Sequence, residues 1–114
     1  MPPVVLPPRA TMADYQRYID DLERLKGWDD VDLVHTCFLM GEEVGELFKA
    51  VRKANRLFDQ AEAHDEDRAA RVAHVGEELV DVLNYLLAVA NRLDIDVEQA
   101  FIDKNTRNQS RTWT

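Results

Sequence analysis

All four prolines of this chain fall within its first eight residues, MPPVVLPP, and the rest of the 114-residue sequence has none. Proline locks φ and removes a backbone donor, so it interrupts helices and inner strands alike. Only four glycines, at 27, 41, 45 and 76, share the proline-free stretch. Such a stretch is free to run in long helices. Strand-like alternation is nowhere long enough to compete. The expected fold is all-α, and residues 1–10 are expected to form an extended arm.

Apolar spacing divides the remainder into four helices. Thr11 is a suitable N-cap, with Asp14 three residues on, and Tyr15, Ile19, Leu22 and Leu25 recur at helical spacing up to Gly27. The first helix is expected over about 12–26. Asp29 or Asp30 would cap the second, over about 31–54 and onward toward Phe58, with Leu33, Cys37, Met40, Val44, Leu47 and Val51 as its buried stripe. Cys37 there reads as a small buried hydrophobe. The polar segment 59–67 is expected to be a loop or frayed end. The third helix, about 67–93, carries Val72, Val75, Leu79, Val82, Leu86, Val89 and Leu93 on one stripe. Asp96 caps the fourth, about 97–109, with Gln99 in the capping-box position.

Charge narrows the function. A net charge of -8 argues against nucleic acid or an anionic membrane as partner. It suits a protein that gathers carboxylates around a cation. A lone cysteine forms no internal disulfide, which suggests a reducing cytosol. Neither a membrane span nor a signal peptide is evident.

Two segments repeat one pattern. Gly41-Glu42-Glu43-Val44-Gly45-Glu46-Leu47 matches Gly76-Glu77-Glu78-Leu79-Val80-Asp81-Val82. Acids three apart lie about 60° from each other around a helix. Glu43 and Glu46 flank their stripe beside Leu39 and Ala50. Glu78 and Asp81 flank theirs beside Tyr85 and Ala88, while Glu42 and Glu77 turn further toward solvent. One such pair is ordinarily a solvated face. Two pairs in matching phase are different: packed side by side, they gather four carboxylates that repel unless neutralised. Mg²⁺ or Mn²⁺ prefers such oxygens and leaves positions open for water and phosphate. Those are the needs of phosphoanhydride hydrolysis. A di-iron bundle would need Glu-x-x-His motifs, and the chain has none.

The paired acids resemble the signature of the all-α nucleoside triphosphate pyrophosphatases. The runs GEEVGELFKAV and EELVDVLNYLL look most like the MazG and dCTP pyrophosphatase branch. Lys104-x-x-x-Asn108-x-x-Arg111 is similar to that branch's tail motif. The resemblance spans roughly 12–111. It implies a bundle of four or five helices, a homodimer or homotetramer, and Mg²⁺ held by Glu43, Glu46, Glu78 and Asp81. It also implies cleavage of a (d)NTP to the monophosphate and pyrophosphate; cleansing of the nucleotide pool is one role open to such an activity. The domain plan is then an arm at 1–10, a MazG-like catalytic domain at 11–111 and a tail at 112–114.

Other residues are weighed against plainer roles. Lys53, nearly in phase with Glu46, and Lys104, Asn108 and Arg111 are candidates for holding phosphates; the alternative is surface ion pairing. Trp28 and Tyr85 are candidates for stacking on a base, and Asn84 for reading its edge. Trp113, near the chain end, reads better as packing or a subunit contact. His74 lies one turn before Glu78, near its face, whereas His64 sits in the acidic segment. Two other functions remain open. One is phosphoribosyl-ATP pyrophosphohydrolase, which shares the acids. The other is a non-catalytic helical oligomer that binds a metal or a partner.

Overall fold

The computed structural model of the chain describes residues 4–55 and 65–112. The expected run of the second helix toward Phe58, most of the acidic segment, His64 and Trp113 lie outside these residues. Among those described there are four helices and no strand: α1 (Met12–Lys26), α2 (Leu33–Ala54), α3 (Asp65–Arg92) and α4 (Val97–Ser110). The all-α expectation stands. α3 begins two residues early, so the end of the expected loop at 65–67 is helical. No described helix is long and apolar enough to cross a membrane.

The chain divides into two compact units, a terminal one (residues up to 31 and from 87) and a central one (32–86). In the terminal unit, Thr11 and Asp14 form the expected capping box at the start of α1. The Asp14 carboxylate accepts from the Thr11 N–H at 2.8 Å, and the Thr11 hydroxyl accepts from the Asp14 N–H at 3.2 Å. These bonds hold the Asp14 carboxyl below its usual range. α1 ends at Gly27 in the left-handed region (φ 73°). The Gly27 N–H bonds the Arg24 carbonyl and the Trp28 N–H bonds that of Glu23. Ile19, Leu87 and Ala88 are buried together, with Met12, Tyr18, Leu22 and Val97 packed against them. α1 also packs on α4.

Polar hooks close this unit. The Gln16 amide donates to Asn91 Oδ1 (3.1 Å) and to the Ile95 carbonyl (2.8 Å), and its oxygen accepts from the Val97 N–H (3.0 Å). Asn91 donates back to the Gln16 carbonyl. Arg92 donates to the Val31 and Trp28 carbonyls and pairs with Glu23 at 3.3 Å. Asp96 caps α4 through the Gln99 N–H as expected. The Gln99 side chain instead bonds Asp103, so only half of the capping box forms.

In the central unit, α2 is capped by Asp32 rather than by Asp29 or Asp30. Its carboxylate accepts from the His35 N–H at 2.8 Å. The inward face of α2 also differs from the expected stripe. Thr36, Ala50 and Ala54 are buried, Glu43 and Leu47 are half-buried, and Cys37 and Val51 are exposed. Cys37 is therefore no buried hydrophobe. α2 is apolar around most of its circumference, so periodicity alone does not pick the face that turns in. Small side chains bury completely where larger ones stand off, and they mark it. α3 is turned in the same sense: Val75, Glu78, Val82 and Tyr85 are half-buried, while Val72, Leu79 and Leu86 are about half exposed.

Candidate active site

The rotation of α2 and α3 puts acids where the periodic stripe placed only aliphatics. Glu43 shares the inward face of α2 with Leu39, Leu47 and Ala50. Glu78 shares that of α3 with Val75, Val82 and Tyr85. Its side chain is only 12% exposed. Asp81, one turn further and exposed, stands at the edge of the same face. One carboxylate oxygen from each of Glu43, Glu78 and Asp81 lies within 4.8 Å of the others. Glu46 is exposed and outside this group, yet near enough to act on Glu43.

The cluster is electrostatically incomplete. Burial raises the Glu43 carboxyl above its usual range, and the charges of Asp81, Glu78, Glu46 and Glu42 raise it further. Glu78 Oε2 is buried and has no hydrogen-bond partner. Its other oxygen, Oε1, lies 3.6 Å from His74 Nε2, while His74 Nδ1 lies 3.4 Å from Glu77. An oxyanion buried without a donor costs stability unless a cation completes it. Three carboxylates with one bare oxygen suit a hard divalent ion of the Mg²⁺ or Mn²⁺ kind. Among protein ligands here there is neither thiolate nor imidazole in the group.

The other candidates are distributed between the units. Tyr85 and Asn84 are half-buried on α3, Tyr85 two turns beyond Glu78 on its face. Lys53 is exposed in the last turn of α2. Trp28 follows the end of α1 and is half exposed. Lys104 and Asn108 share one face of α4, and Arg111 is its C-cap. Asn108 donates to Asn105 Oδ1 (3.2 Å), and its own Oδ1 is buried without a hydrogen-bond partner. Trp28, Lys104, Asn108 and Arg111 belong to the terminal unit, and the acids to the central one.

A family model described as the MazG nucleotide pyrophosphohydrolase domain matches residues 36–113. The chain belongs to this family. The match takes in both acid pairs and the 104–111 motif, and it begins within α2, after α1. A relative of the MazG-family chain is the uncharacterized protein YvdC of Bacillus subtilis (strain 168). It is 27% identical over 88 residues, which are 76% of this chain and 82% of YvdC. MazG enzymes are typically dependent on a divalent metal, and the carboxylate group supplies donors of that type.

Proposed function

We propose that the protein is a Mg²⁺-dependent nucleoside triphosphate pyrophosphohydrolase that releases pyrophosphate from a (d)NTP. The observation that carries this reading is the convergence of Glu43, Glu78 and Asp81, with Glu78 Oε2 bare, inside a MazG-family chain. A bound divalent cation would neutralise phosphate oxygens and make water more acidic. Glu43, Glu78 and Asp81 would hold it. Glu46, apart from the three and open to solvent, is the acid left to orient the attacking water and take its proton. His74, close to both Glu77 and Glu78, steadies Glu78 in its rotamer.

Lys53, Lys104, Asn108 and Arg111 are assigned to the phosphate chain, because a metal alone leaves a triphosphate negatively charged. Trp28 and Tyr85 are assigned to the base by stacking, and Asn84 to its edge. The catalytic domain is read as residues 11–111, acting in the cytoplasm as a homodimer or homotetramer. Apolar side chains left open on the described helices support association; Phe38, Phe48 and Phe101 are all more than 60% exposed.

The test is pyrophosphate release from a panel of canonical, deoxy and damaged NTPs with Mg²⁺ or Mn²⁺. Wild type should turn over at least one of them. Glu46→Ala and Asp81→Ala should each lower kcat/KM by about 100-fold or more, the scale expected when a metal site or its base is lost. Absence of turnover across the panel would favour a non-catalytic metal-binding oligomer.

A further inference from the structure

Arg92, the last residue of α3, has a side chain only 21% exposed. A charge in that position needs acceptors, because an unpaired one is costly to bury. Arg92 has three. Nη1 donates to the Val31 carbonyl, and Nη2 donates to the Trp28 carbonyl at 3.2 Å and to Glu23 Oε2 at 3.3 Å. Glu23, with a side chain 12% exposed, answers the charge. The two carbonyls answer something else. Both belong to one four-residue turn, Trp28–Val31, which the Val31 N–H closes on the Trp28 carbonyl at 3.3 Å.

The Trp28 backbone is thereby held on both sides. Its N–H bonds the Glu23 carbonyl at 2.8 Å, and its carbonyl accepts from Val31 and Arg92. The clamp is itself anchored. Asn91, next to Arg92, exchanges hydrogen bonds with Gln16, and Glu23 lies two turns beyond Gln16 on α1. Yet the residue so held buries little, for Trp28 is 52% exposed. Packing of its own ring does not require so firm a backbone. Presenting that ring to a flat ligand does, because order already set in folding is not a further cost on binding.

We propose that Arg92 is a positioning residue for base recognition: by clamping the Trp28–Val31 turn to the end of α3, it holds Trp28 ready to stack on the base of the nucleotide. The inference rests on the assignment of Trp28 to the base and adds the residue that fixes its position. The role depends on the fork of the guanidinium. Two terminal nitrogens in one plane reach two carbonyls and a carboxylate together, whereas an ammonium offers a single nitrogen. Arg92→Lys therefore keeps a charge opposite Glu23 and loses the span. Stacking acts alike on the bound substrate and on the transition state. Loosening Trp28 therefore raises KM and leaves kcat in place.

Fluorescence and kinetics on the full chain test it together. Trp28 and Trp113 are the two tryptophans, so Trp113→Phe leaves Trp28 as sole reporter. In that background Arg92→Lys should lower Trp28 fluorescence anisotropy. It should also raise KM about three- to tenfold, part of the loss of one base stack, with kcat within about twofold. Trp28→Ala should raise KM by about tenfold or more. Thr11→Ala is the control. It removes the capping box at the other end of α1, so it should lower Tm and leave anisotropy and KM unchanged. Arg92→Gln, uncharged and with one amide nitrogen, takes the place of Arg92→Lys if that variant does not fold. Anisotropy and KM at parent values in the Arg92 variant overturn the positioning role, and so do equal changes in Thr11→Ala. An unchanged KM in Trp28→Ala overturns the base assignment, and the role of Arg92 in recognition with it. If no nucleotide is turned over, the hydrolase reading fails, and anisotropy alone decides whether Arg92 holds Trp28.

Discussion

The terminal and central units solve the same problem in opposite ways. In the terminal unit each buried charge has been given partners from its own chain. Arg92 meets two carbonyls and Glu23, and Gln16 and Asn91 exchange hydrogen bonds. Burial still raises the Glu23 carboxyl more than Arg92 lowers it, so even this pairing is costly. In the central unit three carboxylates converge and a Glu78 oxygen stays bare. Among the described residues the terminal unit leaves one buried side-chain atom, Asn108 Oδ1, without a hydrogen-bond partner; the carboxylate group of the central unit is, on the proposed function, completed by a cation.

That contrast breaks most readily at the metal. Mg²⁺ that binds only the folded state stabilises it by about 2.7 kcal/mol at a hundredfold excess over Kd. We expect a rise in Tm with Mg²⁺ for the wild type and none for Glu78→Ala, which should also lose pyrophosphate release. A metal-induced shift that persists in Glu78→Ala would remove the acids from the site. The pH response of the metal-free protein sharpens the same point. Glu43 has a folded pKa above its usual 4.5, so its contribution is fully present below 4.5 and is lost as pH rises through the folded value. Asp14 has the opposite sign. Its folded pKa is below 3.8, so its contribution is present above 3.8 and is lost as pH falls through the folded value. Thermal melts between pH 3 and pH 7, with and without Glu43→Gln, should therefore show the substitution raising Tm near neutrality and doing nothing at the acid end.

Within the terminal unit the corresponding break is Arg92→Ala. It strips donors from the Val31 and Trp28 carbonyls and leaves Glu23 without its cation. We expect a loss of about 2–3 kcal/mol in urea unfolding, from charged hydrogen bonds and an orphaned partner. Mg²⁺ should still raise Tm in this variant, because the carboxylate group is intact. Loss of both together would mean that the two units are not separable in function.

The sequence made the elements legible because their punctuation is local. Thr11 with Asp14, Gly27 and Asp96 act on neighbours a few residues away, so α1 and α4 begin and end within a residue of expectation. Repetition and phase single out four acids, of which Glu43, Glu78 and Asp81 come together while Glu46 stands outside the group. Faces were not legible. α2 offers apolar residues around most of its surface, and the choice of Thr36, Ala50 and Ala54 as the buried line depends on what packs there. For the same reason Cys37 was misplaced.

The smallest expected effect compares two helix ends inside the terminal unit. α1 and α3 finish with the same pair of reversed hydrogen bonds. Gly27 donates to Arg24 and Trp28 to Glu23; Asp94 donates to Asn91 and Ile95 to Ala90. Both turn residues are left-handed, at φ 73° for Gly27 and 54° for Asp94. Glycine takes that conformation freely, whereas an L-residue with a Cβ is strained there, aspartate less than most. Asp94→Gly should therefore stabilise the protein by about 0.5–1 kcal/mol, and Gly27→Ala should destabilise it by about 1 kcal/mol. Urea unfolding of the two variants checks the pair. If Asp94→Gly is destabilising instead, the aspartate carboxylate makes a contribution at this turn larger than its backbone strain.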